Sequence, residues 1–341
     1  MVLKQVMGGV DAYRAFGDGS LRLTEFQVIE NKIITNTESG VRLDAALLSH
    51  CRTSSRAFVR EAIAQGDILL NGRAAPKGIK LKGGEQITIV RLMESVDNLV
   101  KPNASIRLRT VFEDDSLLAF DKPCAMPVQP LSCDETRTLM NGVVARYPEC
   151  TPLGDRPLMA GALHRIDADT SGLVLVARSA ESFENLRAQF SAQTVRKTYL
   201  ALVEGAVAVG GTLENDLIHD PSLPFCKMID YRNNRLCESE KAKTRPLHAV
   251  TQFNPIARTC VENEERTLLE VTIFTGVTHQ IRAQLAMAGM HIINDRLYGA
   301  FAIENQIGHC LHAYSAEFIH PAKGEKVIIQ TPYPQWAACV C

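Results

Sequence analysis

The sequence predicts an α+β fold in two parts, a small module followed by a larger domain. Three observations carry that prediction. Between Arg42 and Val90, two short helical patterns give way to strand signals. Between Leu173 and Phe274, apolar strands are interrupted by an amphipathic helix pattern. The 341 residues suffice for one large core plus a smaller domain.

Residues 1–40 carry no usable periodicity and are expected to form an extension of unknown role, in part without order. In "RLDAALLSHCRTSSRAFVREAIAQGDILLNGRAAPKGIKLKGGEQITIV", Leu43, Ala46 and Leu47 lie at helical spacing. Phe58, Ala62 and Ile63 repeat that spacing behind a Thr-Ser-Ser able to cap a second helix. "ILLNGRAA" reads as strand, Asn-Gly turn and strand, and "GGEQITIV" as a closing strand. Residues 92–108 mix charge, Pro and Asn with little periodicity, which predicts a linker.

"TVFEDDSLLAFDKP" then predicts a hairpin that opens the larger domain, residues 109–341. "LVLVAR" from Leu173 reads as a buried strand freed at its start by Gly172. Phe183, Leu186 and Phe190 mark one face of a helix, and "KTYLALVEG" is the strand after it. "LLEVTIFTGVTHQIRAQLAMAG" reads as strand, Thr-Gly turn and helix. Thr278 is the expected cap there, Ile281, Leu285 and Ala288 face inward, and Gly289 stops the helix.

Composition narrows the function classes. With 46% hydrophobic and 22% charged residues, the chain has the balance of an ordinary soluble protein. A formal net charge of −1 gives no global case for a polyanionic partner, so such a partner must be met by a local cluster. One exists: residues 42–91 carry nine basic side chains against four acidic ones. Arg52, Arg56 and Arg60, spaced by four, line one helix face at phosphate-reaching spacing, although a solvated surface has the same pattern. The ten cysteines form no CxxC pair, which argues against a zinc ribbon and suits a reducing compartment. No signal-peptide pattern and no membrane-length apolar run is present, so a cytoplasmic location away from membranes is expected.

The densest chemistry lies in "GALHRIDADTSGLVLVA", Gly161 to Ala177, a polar loop entering a buried strand. His164, Asp167 and Asp169 permit a metal site, but a catalytic site needs three protein ligands and no further cluster of suitable spacing lies near, so no metal is expected. Asp169, Thr170 and Ser171 are turn formers whose side chains are expected to bond local backbone. Asp167 and Arg165 are different, because a carboxylate at the mouth of a buried strand is costly unless paired or used.

The order of these segments resembles the RluA-type pseudouridine synthases. "HRIDADTSGLVLVAR" is similar to the family's signature, HRLD followed after two residues by TSGL. "RKTYLALVEG", "TGVTHQIRAQLAMAGMHIINDRLYG" and "LHAYSAEFIHP" continue the likeness, from about Arg107 to Pro334. "RLDAALL", "SSRAFVREAIAQGDILLNG" and "KLKGGEQI" resemble an S4-like RNA-binding domain over residues 41–91. The resemblance implies a catalytic domain with a large mixed, mostly antiparallel sheet flanked by helices and loops. It also implies an RNA partner, ribosomal RNA of the large subunit before tRNA, a monomer, and no cofactor.

The family's roles then fall on Asp167 as catalytic carboxylate, Tyr199 as the ring that stacks on the target base, and Arg282 as the partner of the aspartate. Arg165 corresponds to the arginine inserted into RNA, Leu311 to an apolar pocket wall, and Lys197 to the lysine before the tyrosine. His164 either orients the loop or contacts phosphate, and Arg52, Arg56 and Arg60 complete the RNA-contacting set. Making pseudouridine breaks the N1–C1′ bond, turns the uracil and rejoins it through C5. A carboxylate can serve there as nucleophile or base, attacking the sugar or the base or removing a sugar proton. The target must first leave the RNA stack at a cost of a few kcal/mol, and an aromatic platform returns about 1–3 kcal/mol.

Three positions depart from the family pattern: Val277 stands for an arginine, Gln284 for a histidine and Asn294 for a glycine. Val277 is expected to touch RNA or order its turn. Two other readings compete, a non-catalytic S4-type RNA-binding factor of ribosome assembly and a metal-dependent hydrolase using His164, Asp167 and Asp169. The first predicts damage at Asp167, Tyr199 or Arg282, and all three are intact.

Overall fold

A computed structural model of the protein describes residues 2–6, 9–15, 21–37, 39–51, 56–76, 78–95, 99–223, 227–237, 241, 244–261, 263–300, 307–338 and 340. The chain forms two compact units, the first holding Met1–Lys101 with Pro130–Thr136 and Thr151–Ala160, the second holding the rest.

In the first unit, strands β1 (Val2–Val6), β2 (Gly9–Ala15), β3 (Leu21–Thr35), β4 (Ile68–Leu70), β5 (Arg73–Ala74) and β6 (Gln86–Ser95) form a sheet in the order β1-β2-β3-β6-β4-β5. Residues 2–6, 9–15 and 21–35 are strand, where an extension without usable periodicity is expected. Their pattern hid it: Leu21 and Leu23 alternate in one phase, Phe26 and Val28 in the other, so no period of two persists. β3 gains its order from antiparallel pairing with β6 over Phe26–Thr35. Helices α1 (Leu43–His50) and α2 (Arg56–Gln65) cover the sheet, burying Leu43, Leu47 and Val59 against Ile68, Ile87 and Ile89. Asn71 and Gly72 take φ of 50° and 78°, the two positive values that a type I′ turn requires. The Thr53-Ser54-Ser55 cap and Arg52 lie outside the described residues, as does the side chain of Arg56.

The second unit is built on ten strands among the described residues. They are β7 (Thr110–Glu113), β8 (Leu117–Lys122), β9 (Ser171–Ala177), β10 (Arg196–Glu204), β11 (Gly211–His219), β12 (Met228–Asp230), β13 (Leu247–Val261), β14 (Glu264–Ile273), β15 (Leu311–Ile319) and β16 (Lys326–Gln330). Their order is β12-β11-β13-β14-β10-β15-β9-β8-β7, with β16 also on β15. β15 and β9 run parallel and the other pairs antiparallel, which makes the sheet mixed. The central strands are nearly continuous in burial because both faces are covered.

Two features of this sheet place the site. β9 pairs with β15 only at His312 and Ala313, after which β16 takes the same side from Ser315 onward. The sheet therefore forks there, with the Asp167 loop feeding β9 at the crotch. The other feature is the set of helices α3 (Leu139–Arg146), α4 (Ala180–Ser191) and α5 (Gln280–Met287). α4 is capped by Ser179, whose Oγ accepts the Ser182 N–H at 3.1 Å, and buries Phe183 and Leu186. Part of the expected linker is seated on α3: a Cβ at Gly142 would meet Ile106 Cγ2 at 2.8 Å and Leu108 Cδ2 at 3.1 Å. No described helix is long and apolar enough to cross a membrane.

Candidate active site

Much of the hold on the loop before β9 falls on its backbone. Lys122 at the end of β8 is fully buried, and its Nζ donates to the carbonyls of Pro123 at 2.8 Å, Met126 at 2.7 Å and Ala168 at 3.0 Å. Burial lowers its pKa to about 8, opposed by the charges of Cys124, Asp169, Asp167 and Asp121. Thr170 N–H returns to the Asp167 carbonyl at 3.1 Å, and Cys124 Sγ donates to the Asp169 carbonyl at 2.9 Å. These bonds fix the backbone from Asp167 to Thr170.

Thr170 and Ser171 do not bond local backbone through their side chains, as turn formers were expected to. Thr170 Oγ1 meets His309 Nε2 at 2.7 Å, and Ser171 Oγ meets His312 Nδ1 at 2.8 Å. The sequence could not reveal this, because His309 lies just before, and His312 within, the distant strand β15 that completes the fork. Gly172 sits at the crotch with φ of 109°, where a Cβ would run into the Ala313 carbonyl oxygen. Gly172→Ala is therefore expected to cost on the order of 3 kcal/mol, because backbone strain and a backbone clash coincide. A urea midpoint equal to that of the wild type would contradict it.

Against this loop the fold brings α5 and the segment after it. Arg282 Nη1 donates to Asp167 Oδ2 at 2.7 Å, while its Nε and Nη2 reach the two oxygens of Asp295 at 2.6 and 2.8 Å. One guanidinium thus bridges two carboxylates, with Asp295 buried and Asp167 a quarter exposed. Burial opposes the charge of both Arg282 and Asp295, but their mutual hydrogen bonds and charge prevail, raising the pKa of Arg282 and lowering that of Asp295. The Arg282 guanidinium also lies 5.3 Å from the centre of the Tyr298 ring.

Tyr199 stands on β10 opposite Ala313 of β15, and Leu311 stands opposite Ala201, so Tyr199 and Leu311 share a sheet face. Tyr199 is buried, and burial, then the charge of Asp167, pushes its hydroxyl pKa up. The three central residues that the sequence singled out therefore converge on one place. Asp295, His279 and Tyr298 were not singled out by the sequence; the signal for Asp295 was an acid following the apolar pair Ile292-Ile293, and for His279 the His of "THQIR" near Arg282.

A family description, RNA pseudouridylate synthase, matches residues 116–287, a span that includes Asp167, Tyr199 and Arg282. The chain belongs to that family. It is an RNA pseudouridine synthase, an isomerase that converts uridine to pseudouridine. A "Ribosomal large subunit pseudouridine synthase D" of Xanthomonas campestris is 31% identical over 320 residues, 90% of each chain. An "Uncharacterized RNA pseudouridine synthase" of Bacillus subtilis is 32% identical over 298 residues, covering 86% of this chain and 91% of that protein. Among solved structures, human RNA pseudouridylate synthase domain containing 1 shares the fold, with a TM-score of 0.55, 21% identity, and coverage of 69% of this chain and 87% of that one.

The positions where this synthase departs from its family pattern have structural substitutes. Gln284 Nε2 donates to the carbonyls of Leu213 and Ala249 and to Asn215 Oδ1, and its Oε1 accepts from Thr251 Oγ1 at 2.7 Å, so it ties α5 to β11 and β13. Val277 packs against the cluster of Leu217, Met228, Ala249, Ala283 and Tyr298. Asn294 adopts the positive φ that a glycine would supply, at 65°, with its Nδ2 donating to the Gly308 carbonyl at 2.6 Å. The cap of α5 is His279, not Thr278, and its backbone is left-handed.

Other expected site residues have surroundings of their own. His164 stacks on Phe190 at 5.3 Å, and its Nε2 accepts the Leu175 N–H at 3.1 Å, which favours the loop-orienting alternative. Lys197 Nζ donates to the Thr275 carbonyl at 2.7 Å, and burial lowers its pKa to about 8. Arg165, two residues before Asp167 in the chain, is exposed, and Arg60 is exposed on α2. Among the described residues no group of three or more His, Cys, Asp or Glu side chains is arranged to hold a metal, His164, Asp167 and Asp169 included.

The buried histidines give this synthase an acid limit. Burial lowers the pKa of His164 to about 3 and of His309 and His312 to about 4. Each has its ordinary value near 6.5 once unfolded. Between those values only the unfolded chain binds the proton, so stability is complete above about pH 6.5 and falls as pH drops toward 4. The expected slope is about 1.4 kcal/mol per pH unit for each histidine that stays neutral. Unfolding midpoints across pH 4–7 check it, and a flat profile would refute it.

Proposed function

We propose that this synthase isomerises specific uridines of large-subunit ribosomal RNA, with Asp167 as the catalytic carboxylate. The observation that carries the reading is the 2.7 Å contact of Arg282 Nη1 with Asp167 Oδ2, with Tyr199 close enough for its hydroxyl to feel the charge of Asp167. A carboxylate held by a nearly buried guanidinium is poised for charge development without water. In the reaction the N1–C1′ bond breaks, the C5–C1′ bond forms, the C5 proton leaves and N1 gains one, so the product is an isomer. Tyr199 supplies the flat surface on which the detached uracil turns, and Leu311 walls the same sheet face. Arg165, exposed two residues before the carboxylate in the chain, fills the space vacated by the flipped nucleotide.

The ribosomal target is supported by the names of the relatives and by the S4-like reading of residues 41–91, whose basic side chains, Arg60 among them, would hold phosphates. The protein works as a cytoplasmic monomer in this reading. Mapping pseudouridines in total RNA from cells with and without the gene tests it. Loss of a site in large-subunit ribosomal RNA is expected; loss confined to tRNA would move the substrate. Unchanged RNA in cells carrying only Asp167→Asn would overturn the role of the carboxylate.

A further inference from the structure

His279 is the least comfortable residue of the site. Its φ of 52° and ψ of 21° are left-handed, a conformation that costs a residue with a Cβ about 1 kcal/mol or more. Asparagine or glycine would hold the same backbone more cheaply. The imidazole makes no capping hydrogen bond to α5, so it contributes nothing to the helix start. Its side chain is instead mostly buried and aimed at the carboxylate.

Both ring nitrogens face defined partners. Nδ1 lies 3.2 Å from the Tyr298 hydroxyl, and Nε2 lies 3.6 Å from Asp167 Oδ2. The Tyr298 oxygen already accepts the Met228 N–H at 2.9 Å, which leaves the hydroxyl proton to be donated. If Nδ1 carried the hydrogen, Nε2 would turn a lone pair toward a carboxylate oxygen, which is repulsive. If Tyr298 donates to Nδ1, Nε2 carries the hydrogen and presents it to Oδ2, which is attractive. The electrostatics choose the second arrangement. Arg282, Asp295 and His219 also act on the ring, and burial outweighs the pull of Asp167, so its pKa is lowered and the neutral form is favoured.

We propose that His279 is a positioning residue of the reaction: Tyr298 fixes its tautomer so that Nε2–H faces Asp167 Oδ2 and, together with Arg282, commits that oxygen, leaving Oδ1 to react. This rests on the assignment of Asp167 as the catalytic carboxylate. The 3.6 Å separation is the open form of a contact that shortens when the uridine fills the pocket and water leaves. With one oxygen held by two N–H groups, the carboxylate cannot swing, and the free oxygen is directed at the nucleotide.

His279→Asn separates the ring from the backbone, because asparagine tolerates the left-handed conformation. Single-turnover and steady-state assays on the same RNA are expected to show kcat lower by roughly 10- to 100-fold, with KM little changed. Tyr298→Phe removes the proton that sets the tautomer and should also lower kcat. It leaves the buried Met228 N–H without its acceptor, so a lower melting temperature is expected and rates are normalised to folded enzyme. The double variant should be no slower than His279→Asn alone, since both act through one chain. Wild-type kcat in His279→Asn, a change confined to KM, or multiplicative losses in the double variant would each overturn the proposal. Retained activity in Asp167→Asn would instead remove the assignment on which it rests, so the two failures are distinguishable.

Discussion

Asp167→Asn is expected to lower pseudouridine formation by on the order of 10⁴-fold or more, the scale seen when a central member of a catalytic unit is removed. The fold should survive almost unchanged. Asp167 is a quarter exposed, and its side chain is not what holds the loop. Lys122 holds the Ala168 carbonyl, Thr170 N–H holds the carbonyl of residue 167 itself, and Cys124 holds that of Asp169. An amide at position 167 keeps an oxygen that can accept from Arg282 Nη1, while the negative charge and the basic, ionised oxygen are lost. The measurement pairs RNA-binding titration and melting with product analysis. Unchanged binding and melting with no product is the expected result, and product at the wild-type rate would remove Asp167 from the chemistry.

This separation of loop-holding from chemistry explains what the sequence could reveal. Asp167 stands out by its own physical oddity, a carboxylate at the mouth of an apolar strand, whereas Tyr199 and Arg282 are ordinary in their local patterns and are singled out only by the resemblance to the pseudouridine synthases. The two short helices of the first unit and the Asn71-Gly72 hairpin are legible as Asp167 is, since turn chemistry and helical spacing act over a few residues. What was hidden is long-range. The bond of Thr170 to His309 spans 139 positions, and that of Ser171 to His312 spans 141. The strand character of residues 21–35 depends on a partner at 86–95. Asp295 resembles a surface loop acid until Arg282 is placed against it. A sequence shows which side chains are costly to bury, and only the fold shows which partner offsets that cost.

Arg282 carries the second large effect, and it couples stability to catalysis. Its Nε and Nη2 satisfy Asp295, which is 2% exposed, and its Nη1 satisfies Asp167. Arg282→Ala strands a buried carboxylate and is expected to destabilise the protein by about 3–5 kcal/mol, while also abolishing activity. That variant alone cannot tell a structural loss from a catalytic one. Arg282→Lys can, because an ammonium is one nitrogen where the guanidinium offers three separately directed N–H groups. A lysine can neutralise Asp295 or reach Asp167 but cannot grip both, so it should recover much of the melting temperature while turnover stays lower by on the order of 10²-fold. The combination Arg282→Met with Asp295→Leu removes both buried charges together, a change that is often neutral for stability. It should melt nearer to the wild type than Arg282→Ala does and remain inactive, because no cation is left beside Asp167. If instead that double variant regained turnover along with stability, Arg282 would matter only as the counter-charge of Asp295, and the cation–carboxylate contact at 2.7 Å would have no part in the reaction.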